Sequence, residues 1–124
     1  MPTDRAVPLT AQQFCAAIAQ IESGNRSNAP LGDDGRARGR YQLHPDFFYE
    51  WLVKLNIQPL LGETWDSLDT RLLVGYFNVR IGQGMTPIQA GVSFHNGHPC
   101  RETDSDWNDE NYPTRFERAA ASLG

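Results

Sequence analysis

Residues 10–25 have the sequence TAQQFCAAIAQIESGN, and this stretch decides the first helix of the fold. Thr10 and Gln13 have the spacing of a capping box, which predicts that the helix begins directly after Thr10. Gly24 and Asn25 predict its end. The apolar residues between these signals recur at the i, i+3, i+4 and i+7 spacing of one helical face. They are Phe14, Ala17, Ile18 and Ile21.

Glu22 lies at the carboxyl end of this predicted helix, where a charged carboxylate is unfavourable. The end of the helix carries partial negative charge, which opposes a second negative charge there. Ile18 and Ile21 should face the core, and burial beside them also disfavours the ionised form. We therefore expect a raised pKa for Glu22, and a carboxyl that stays protonated near neutral pH can act as a general acid. The alternative is an ordinary exposed residue at a helix end.

Four further helices are predicted by the same periodicity, each opened by a cap or a proline. We find no internal repeat and no linker between them. Their expected limits are Pro45 to near Leu55, Asp66 or Ser67 to near Ile81, Pro87 to near Phe94, and Pro113 to near Leu123.

Residues 24–40 differ from the helical segments, because they are rich in Gly, Asn, Asp and Arg and almost lack large apolar groups. They predict a long loop or a small irregular sheet between helices one and two, and long loops in compact domains are usually functional. Residues 1–9 predict an extended lead-in. The expected fold is therefore mainly α, one compact helical domain over residues 1–124, with any strand content between residues 24 and 43.

The composition limits the class of protein. The chain has 124 residues, 40% of them apolar, which fits one globular domain with one core. Its net charge of −4 argues against nucleic acid or an anionic membrane as the main partner. No apolar run approaches the roughly 18–20 residues that span a bilayer, and the first residues do not resemble a secretory signal. We expect a chain made without a signal peptide, or a domain of a longer protein.

Three arginines, Arg36, Arg38 and Arg40, lie within five residues of one another. Such a basic patch inside an acidic protein suits a small anionic group on a substrate. The alternative is a solvated loop whose charge serves solubility. Both interpretations stay open at this point.

The two cysteines, Cys15 and Cys100, permit either one disulfide or two free thiols, and neither has the surroundings of a nucleophile. The three histidines, His44, His95 and His98, lack a tight set of metal ligands. We therefore expect no metal and no cofactor.

Three motifs, in order along the chain, resemble those of the lysozyme-like superfamily. The run Glu22-Ser23-Gly24-Asn25 resembles the Glu-Ser of goose-type lysozymes and lytic transglycosylases. The run Gly39-Arg40-Tyr41-Gln42-Leu43 is similar to the Gly-Pro-Tyr-Gln-Ile of invertebrate-type lysozymes, and Phe94-His95-Asn96-Gly97 is similar to the Tyr-Asn turn of transglycosylases. The resemblance covers residues 10–97 and implies an α+β lysozyme-like fold.

This resemblance implies a peptidoglycan muramidase, an enzyme that hydrolyses the β-1,4 bond between N-acetylmuramic acid and N-acetylglucosamine. Glu22 matches the catalytic acid of the family. Arg40 and His95 depart from the family pattern, so they bear on substrate preference. The residues expected to bind substrate are Ser23, Arg40, Tyr41, Gln42, His95 and Asn96.

A second carboxylate would decide the mechanism, because lysozyme-type hydrolysis commonly uses a pair. Asp34 follows Glu22 by twelve positions, similar to the spacing of the second acid in invertebrate-type enzymes. Asp33 is the neighbouring alternative, and either residue could simply form a turn. A lytic transglycosylase needs no second acid, because a hydroxyl of its own substrate attacks and leaves an anhydro sugar. A lysozyme-like module that only binds glycan or protein, and an enzyme acting on chitin, are the remaining alternatives.

The implied partner is the glycan strand of bacterial peptidoglycan, reached by a monomer at the cell wall, in the periplasm or outside the cell. The small size suits a phage-type endolysin released by a separate hole-forming protein. It equally suits a domain of a larger secreted or phage-tail protein.

Overall fold

The computed structural model describes residues 9–123, which form five α-helices and a short 3₁₀ turn. The mainly helical class is confirmed for these residues. The predicted lead-in at residues 1–9 lies outside them except for Leu9. The helices are α1 (Ala11–Ser23), α2 (Pro45–Lys54), α3 (Trp65–Gly82), α4 (Pro87–Asn96) and α5 (Tyr112–Ala121), and the 3₁₀ turn is Asp109–Asn111. None of the helices at residues 9–123 combines the length and the apolar character that crossing a membrane requires.

Local caps fix the ends of α1 and α4. The Thr10 hydroxyl accepts from the Gln13 N–H while the Gln13 side chain accepts from the Thr10 N–H, which confirms the predicted capping box. A second capping box at Thr86 opens α4. Gly24 ends α1 and Gly97 ends α4, both in the left-handed conformation that glycine adopts without a steric penalty. The helix ends that carry the predicted site residues are thus determined locally.

The start of α3 differs slightly from the prediction. Thr64 is the N-cap, and its hydroxyl accepts from the Ser67 N–H at 3.1 Å. The helix therefore begins at Trp65 rather than at Asp66 or Ser67. The start of α5 also differs by one residue, because this helix begins at Tyr112 and not at the predicted Pro113.

The core forms where α1 packs against α3 and α5. The Phe14 ring centroid lies 4.6 Å from that of Phe77 in α3 and 5.7 Å from that of Phe116 in α5. Gly91 lets α4 approach α5 closely, because a Cβ there would lie 2.8 Å from the Phe116 ring. This packing brings the C-terminal ends of α1 and α4 to the start of α5.

The segment between α1 and α2 contains two isolated antiparallel bridges, Gly32–Ala37 and Arg38–Leu43, and no longer strand. Two ion pairs tie it to α3. Arg38 donates to both carboxylate oxygens of Asp69 at 2.8 and 3.0 Å, and Arg40 donates to those of Asp66 at 3.0 and 3.2 Å. Two arginines of the expected basic patch therefore hold the loop against α3. Their charges are already balanced by the carboxylates of Asp69 and Asp66.

Candidate active site

The Glu22 carboxylate, in the last turn of α1, meets the first residue of α5. The Tyr112 hydroxyl donates a hydrogen bond to Glu22 Oε2 at 3.0 Å. The Tyr112 side chain is fully buried, whereas Glu22 keeps partial access to solvent. A fixed phenol thus orients a carboxyl group that a ligand can still reach.

Several groups act on the protonation of Glu22. Burial raises its pKa above the ordinary value and is the largest effect. The Tyr112 hydrogen bond and the charges of His95 and Arg115 oppose this rise, whereas the charge of Glu110 adds to it. The net pKa is raised, in the direction that the sequence predicts. The protonated carboxyl is therefore favoured over a wider range of pH than for an exposed glutamate.

Tyr112 serves as a hydrogen-bond donor and not as a competing acid. Burial, followed by the nearby charge of Glu22, raises the pKa of Tyr112 well above its ordinary value. The phenol therefore keeps its proton at any pH near neutral. Sequence analysis did not identify Tyr112, and its position directly before the helix-opening Pro113 was the available signal.

His95, predicted to contact substrate, lies at this same site. Its ring stacks on Tyr112, with centroids 4.3 Å apart and an interplanar angle of 15°. Its Nε2 lies 3.1 Å from Oδ2 of Asp109 in the 3₁₀ turn. Asp109 and Glu110 are acids of the segment between α4 and α5. The structure brings both next to a predicted site residue.

A possible metal site is formed by three neighbouring side chains, those of His95, Asp109 and Glu110. One ligand atom from each lies within 4.8 Å of the others, so these residues offer three ligands to a metal ion. Both carboxylates are exposed, and the same arrangement serves as an ordinary pair between a histidine and an aspartate. The cluster therefore adds charge to the site whether or not an ion binds.

Two of the lysozyme-like motifs meet directly. The Ser23 hydroxyl donates to the Arg40 carbonyl oxygen at 2.7 Å and accepts from the Arg26 N–H at 3.0 Å. The Arg40 guanidinium also donates to Asn25, at 2.6 Å to the side-chain oxygen. Ser23 and Arg40 thus join the end of α1 to the following motif. A role for either in binding substrate stays a prediction.

Tyr41 and Gln42 also make contacts within the fold. Tyr41 is buried, and its hydroxyl hydrogen-bonds Thr70 of α3 at 2.8 Å. Gln42 has a positive φ of 51°, and its amide donates to the Gly39 carbonyl oxygen at 2.9 Å. The Gln42 side chain therefore braces the loop. Binding of substrate by these two residues stays a prediction.

Asn96 holds the loop that follows α4. Its amide donates to the Asp106 carbonyl oxygen at 3.0 Å and contacts Cys100 Sγ at 3.4 Å. Cys100 and Cys15 are buried free thiols, and burial raises the pKa of Cys15 to about 12. Neither thiol is therefore activated as a nucleophile. Contact between Asn96 and substrate stays a prediction.

Asp34 is exposed in the turn that the Gly32–Ala37 bridge closes, with a φ of 57°. Asp33 beside it pairs with His44 at 3.2 Å and with Arg36 at 3.7 Å. The structure records no contact between Asp34 and Glu22, and the acid whose charge acts on Glu22 is Glu110. A catalytic role for Asp34 thus lacks support from this geometry and stays a prediction.

Comparisons with protein-family models, with curated proteins and with solved structures gave no match. The interpretation of the site therefore depends on the motifs and on the geometry described above. Chemically, the arrangement offers a carboxyl group with a raised pKa, a buried phenol that orients it, and a charged loop beside it.

Proposed function

We propose that this chain cleaves the glycan strand of bacterial peptidoglycan, with Glu22 as the general acid. The observation that carries the proposal is the Glu22 carboxyl, whose pKa is raised by burial and which is held by the Tyr112 hydroxyl. A raised pKa is what a general acid working near neutral pH requires. The order of the three lysozyme-like motifs supports the substrate class.

In the proposed reaction, Glu22 donates its proton to the glycosidic oxygen between N-acetylmuramic acid and N-acetylglucosamine. The bond from the sugar C1 to that oxygen breaks, and positive charge develops on the sugar ring. Tyr112 keeps the carboxyl oriented, because it donates to one oxygen and leaves the other for the substrate. The ionised Glu22 then recovers a proton from the attacking nucleophile.

The nucleophile distinguishes two candidate functions. In a muramidase, water attacks, commonly with the help of a second carboxylate. Asp34, Asp109 and Glu110 are the candidates for that role. In a lytic transglycosylase, a hydroxyl of the muramic acid attacks its own C1. The exposed position of Asp34, without recorded contact to Glu22, favours this second candidate. Glu110, whose charge acts on Glu22, is still a candidate for the second carboxylate, so the muramidase is the main proposal, for a monomer that acts at the cell wall.

Mass spectrometry of digested peptidoglycan tests both candidates. Hydrolysis gives products one water heavier than anhydro-muropeptides, whereas transglycosylation gives the anhydro products. The Glu22→Gln variant should give neither, because its amide cannot donate a proton to the leaving oxygen. Glu117→Gln is the matched control, since Glu117 is an exposed glutamate on α5, and it should digest normally.

Further variants and substrates separate the remaining alternatives. If water is the nucleophile, loss of hydrolysis in Asp34→Asn, Asp109→Asn or Glu110→Gln identifies the second acid. Purified chitin oligomers, digested in parallel, test the neighbouring glycan substrate. A third outcome is that the unmodified protein gives no products while it and the Glu22→Gln variant bind glycan equally well. That result would favour a binding module over an enzyme.

A further inference from the structure

An open groove of about 390 Å³ lies between α1 and α5. Its lining combines an apolar floor with polar and basic walls. The lining residues are Gln20, Ile21, Arg115, Arg118, Ala119 and Ser122.

The groove is adjacent to the Glu22 site. Ile21, which lines it, precedes Glu22 in α1. Arg115, also in the lining, lies with its guanidinium carbon 5.9 Å from the Tyr112 ring centroid, and its charge lowers the pKa of Glu22. The Arg115 side chain therefore borders the groove and also acts on the proposed catalytic acid.

The two arginines of the groove differ from those of the loop before α2. Arg38 and Arg40 each face a carboxylate of α3 at hydrogen-bond distance. Within residues 9–123, by contrast, Arg118 forms no ion pair, and Arg115 has two long polar contacts with Glu110, at 3.9 Å to the carboxylate and at 3.5 Å to the carbonyl oxygen. Arg115 and Arg118 are three positions apart and thus lie on one face of α5. They remain available to an anion from outside the described chain.

We propose that this groove binds the carboxylates of the peptide stem attached to muramic acid. The proposal rests on the proposed function, since it names a further part of the same substrate. Guanidinium groups bind carboxylates through paired, charge-assisted hydrogen bonds. Ile21 and Ala119 offer a surface for small apolar side chains, and the Gln20 amide and Ser122 hydroxyl can hydrogen-bond peptide groups. The sequence had placed this anion-binding role on Arg36, Arg38 and Arg40.

Cleavage kinetics test the groove with two substrates prepared from one batch of glycan strands. One retains its peptide stems, and the other has lost them to an amidase. Arg118→Gln should raise KM for the stem-bearing strands by about three- to tenfold and leave KM for the stripped strands unchanged. Arg118→Lys should recover most of the effect because it keeps the charge. Arg101→Gln, an exposed arginine outside the groove, is the matched control and should behave as the unmodified protein.

An equal change of KM on both substrates would overturn the proposal, because the groove would then not distinguish the stem. Binding to the Glu22→Gln protein provides a test that does not need cleavage. A synthetic stem peptide with free carboxylates should shift the NMR signals of Gln20 and Ser122, and its carboxyl-amidated form should not. Adding Arg118→Gln should abolish the shifts. Failure to cleave any glycan would refute the proposed function alone, whereas absence of these shifts would refute the groove.

Discussion

Asp69 and Glu22 are both carboxyl groups withdrawn from solvent, but their partners differ. Asp69 is 1% exposed and accepts two hydrogen bonds from the Arg38 guanidinium. Glu22 accepts one hydrogen bond from a neutral phenol. Burial raises the pKa of both groups, to about 6 for Asp69 even though the Arg38 charge opposes the rise.

This comparison shows that the partner of a buried carboxyl matters as much as its burial. Asp69 is ionised at neutral pH and forms a bidentate pair that fixes the loop to α3. Glu22 faces a donor that carries no charge, at a place that keeps partial access to solvent, so its proton can be transferred to a ligand. Burial alone therefore does not distinguish the proposed general acid from a structural carboxylate, and the hydrogen-bond partner and the access to solvent have to be considered as well.

The largest effect on stability is expected for Asp69→Asn. The change leaves the Arg38 guanidinium without a counter-charge in a largely buried site, which should lower the free energy of unfolding by about 3 kcal/mol. Urea denaturation measures this loss. Asp66→Asn is the control, because the Arg40–Asp66 pair is more exposed and should lose about 1 kcal/mol or less. Similar losses for the two variants would contradict the view that the Arg38–Asp69 pair contributes most to holding the loop against α3.

Tyr112→Phe should change the chemistry of Glu22 instead. The Tyr112 hydrogen bond lowers the pKa of Glu22, so its removal raises that pKa further. The alkaline limb of the pH–rate profile should move to higher pH, and the optimal rate should fall by about tenfold because the carboxyl is less well oriented. Tyr49→Phe, at an exposed tyrosine, should change neither quantity. An alkaline limb that moves to lower pH would reverse the role given to Tyr112.

Glu22→Gln should stabilise the protein while it removes activity. The folded-state pKa of Glu22 lies above its ordinary value of 4.5, so its contribution to stability falls as the pH rises through that value and the folded pKa. The gain for glutamine should therefore be absent at pH 4 and present at pH 8. Denaturation at the two pH values measures it, with Glu117→Gln as the control. A gain that is equal at both pH values would not come from the charge of Glu22.

If Asp34 or Asp109 rather than Glu110 is the second acid, or if none is needed, Glu110→Gln should have the smallest effect and the opposite sign to Tyr112→Phe. The Glu110 charge raises the pKa of Glu22, so its removal should move the alkaline limb of the pH–rate profile slightly to lower pH. Raising the salt concentration should reduce the difference between the two proteins, because Glu110 is exposed and screened. A shift to higher pH would mean that Glu110 does not act on Glu22 through its charge.

Features that depend on neighbours three or four residues apart could be predicted from the sequence. The capping boxes at Thr10 and Thr86 and the glycine ends of α1 and α4 were predictable, because the groups that form them are close in the chain. The place of Glu22 at a helix end, and the direction of its pKa shift, followed from the same local pattern.

The partners of these groups depend on how the helices pack. Tyr112 reaches Glu22 across 90 positions of sequence, and Asp69 reaches Arg38 across 31. No local spacing encodes such contacts, because they arise when α1, α3 and α5 pack around one core. Packing therefore determined that Arg38 and Arg40 brace the loop, that Arg115 and Arg118 face a groove, and that a phenol holds the candidate acid.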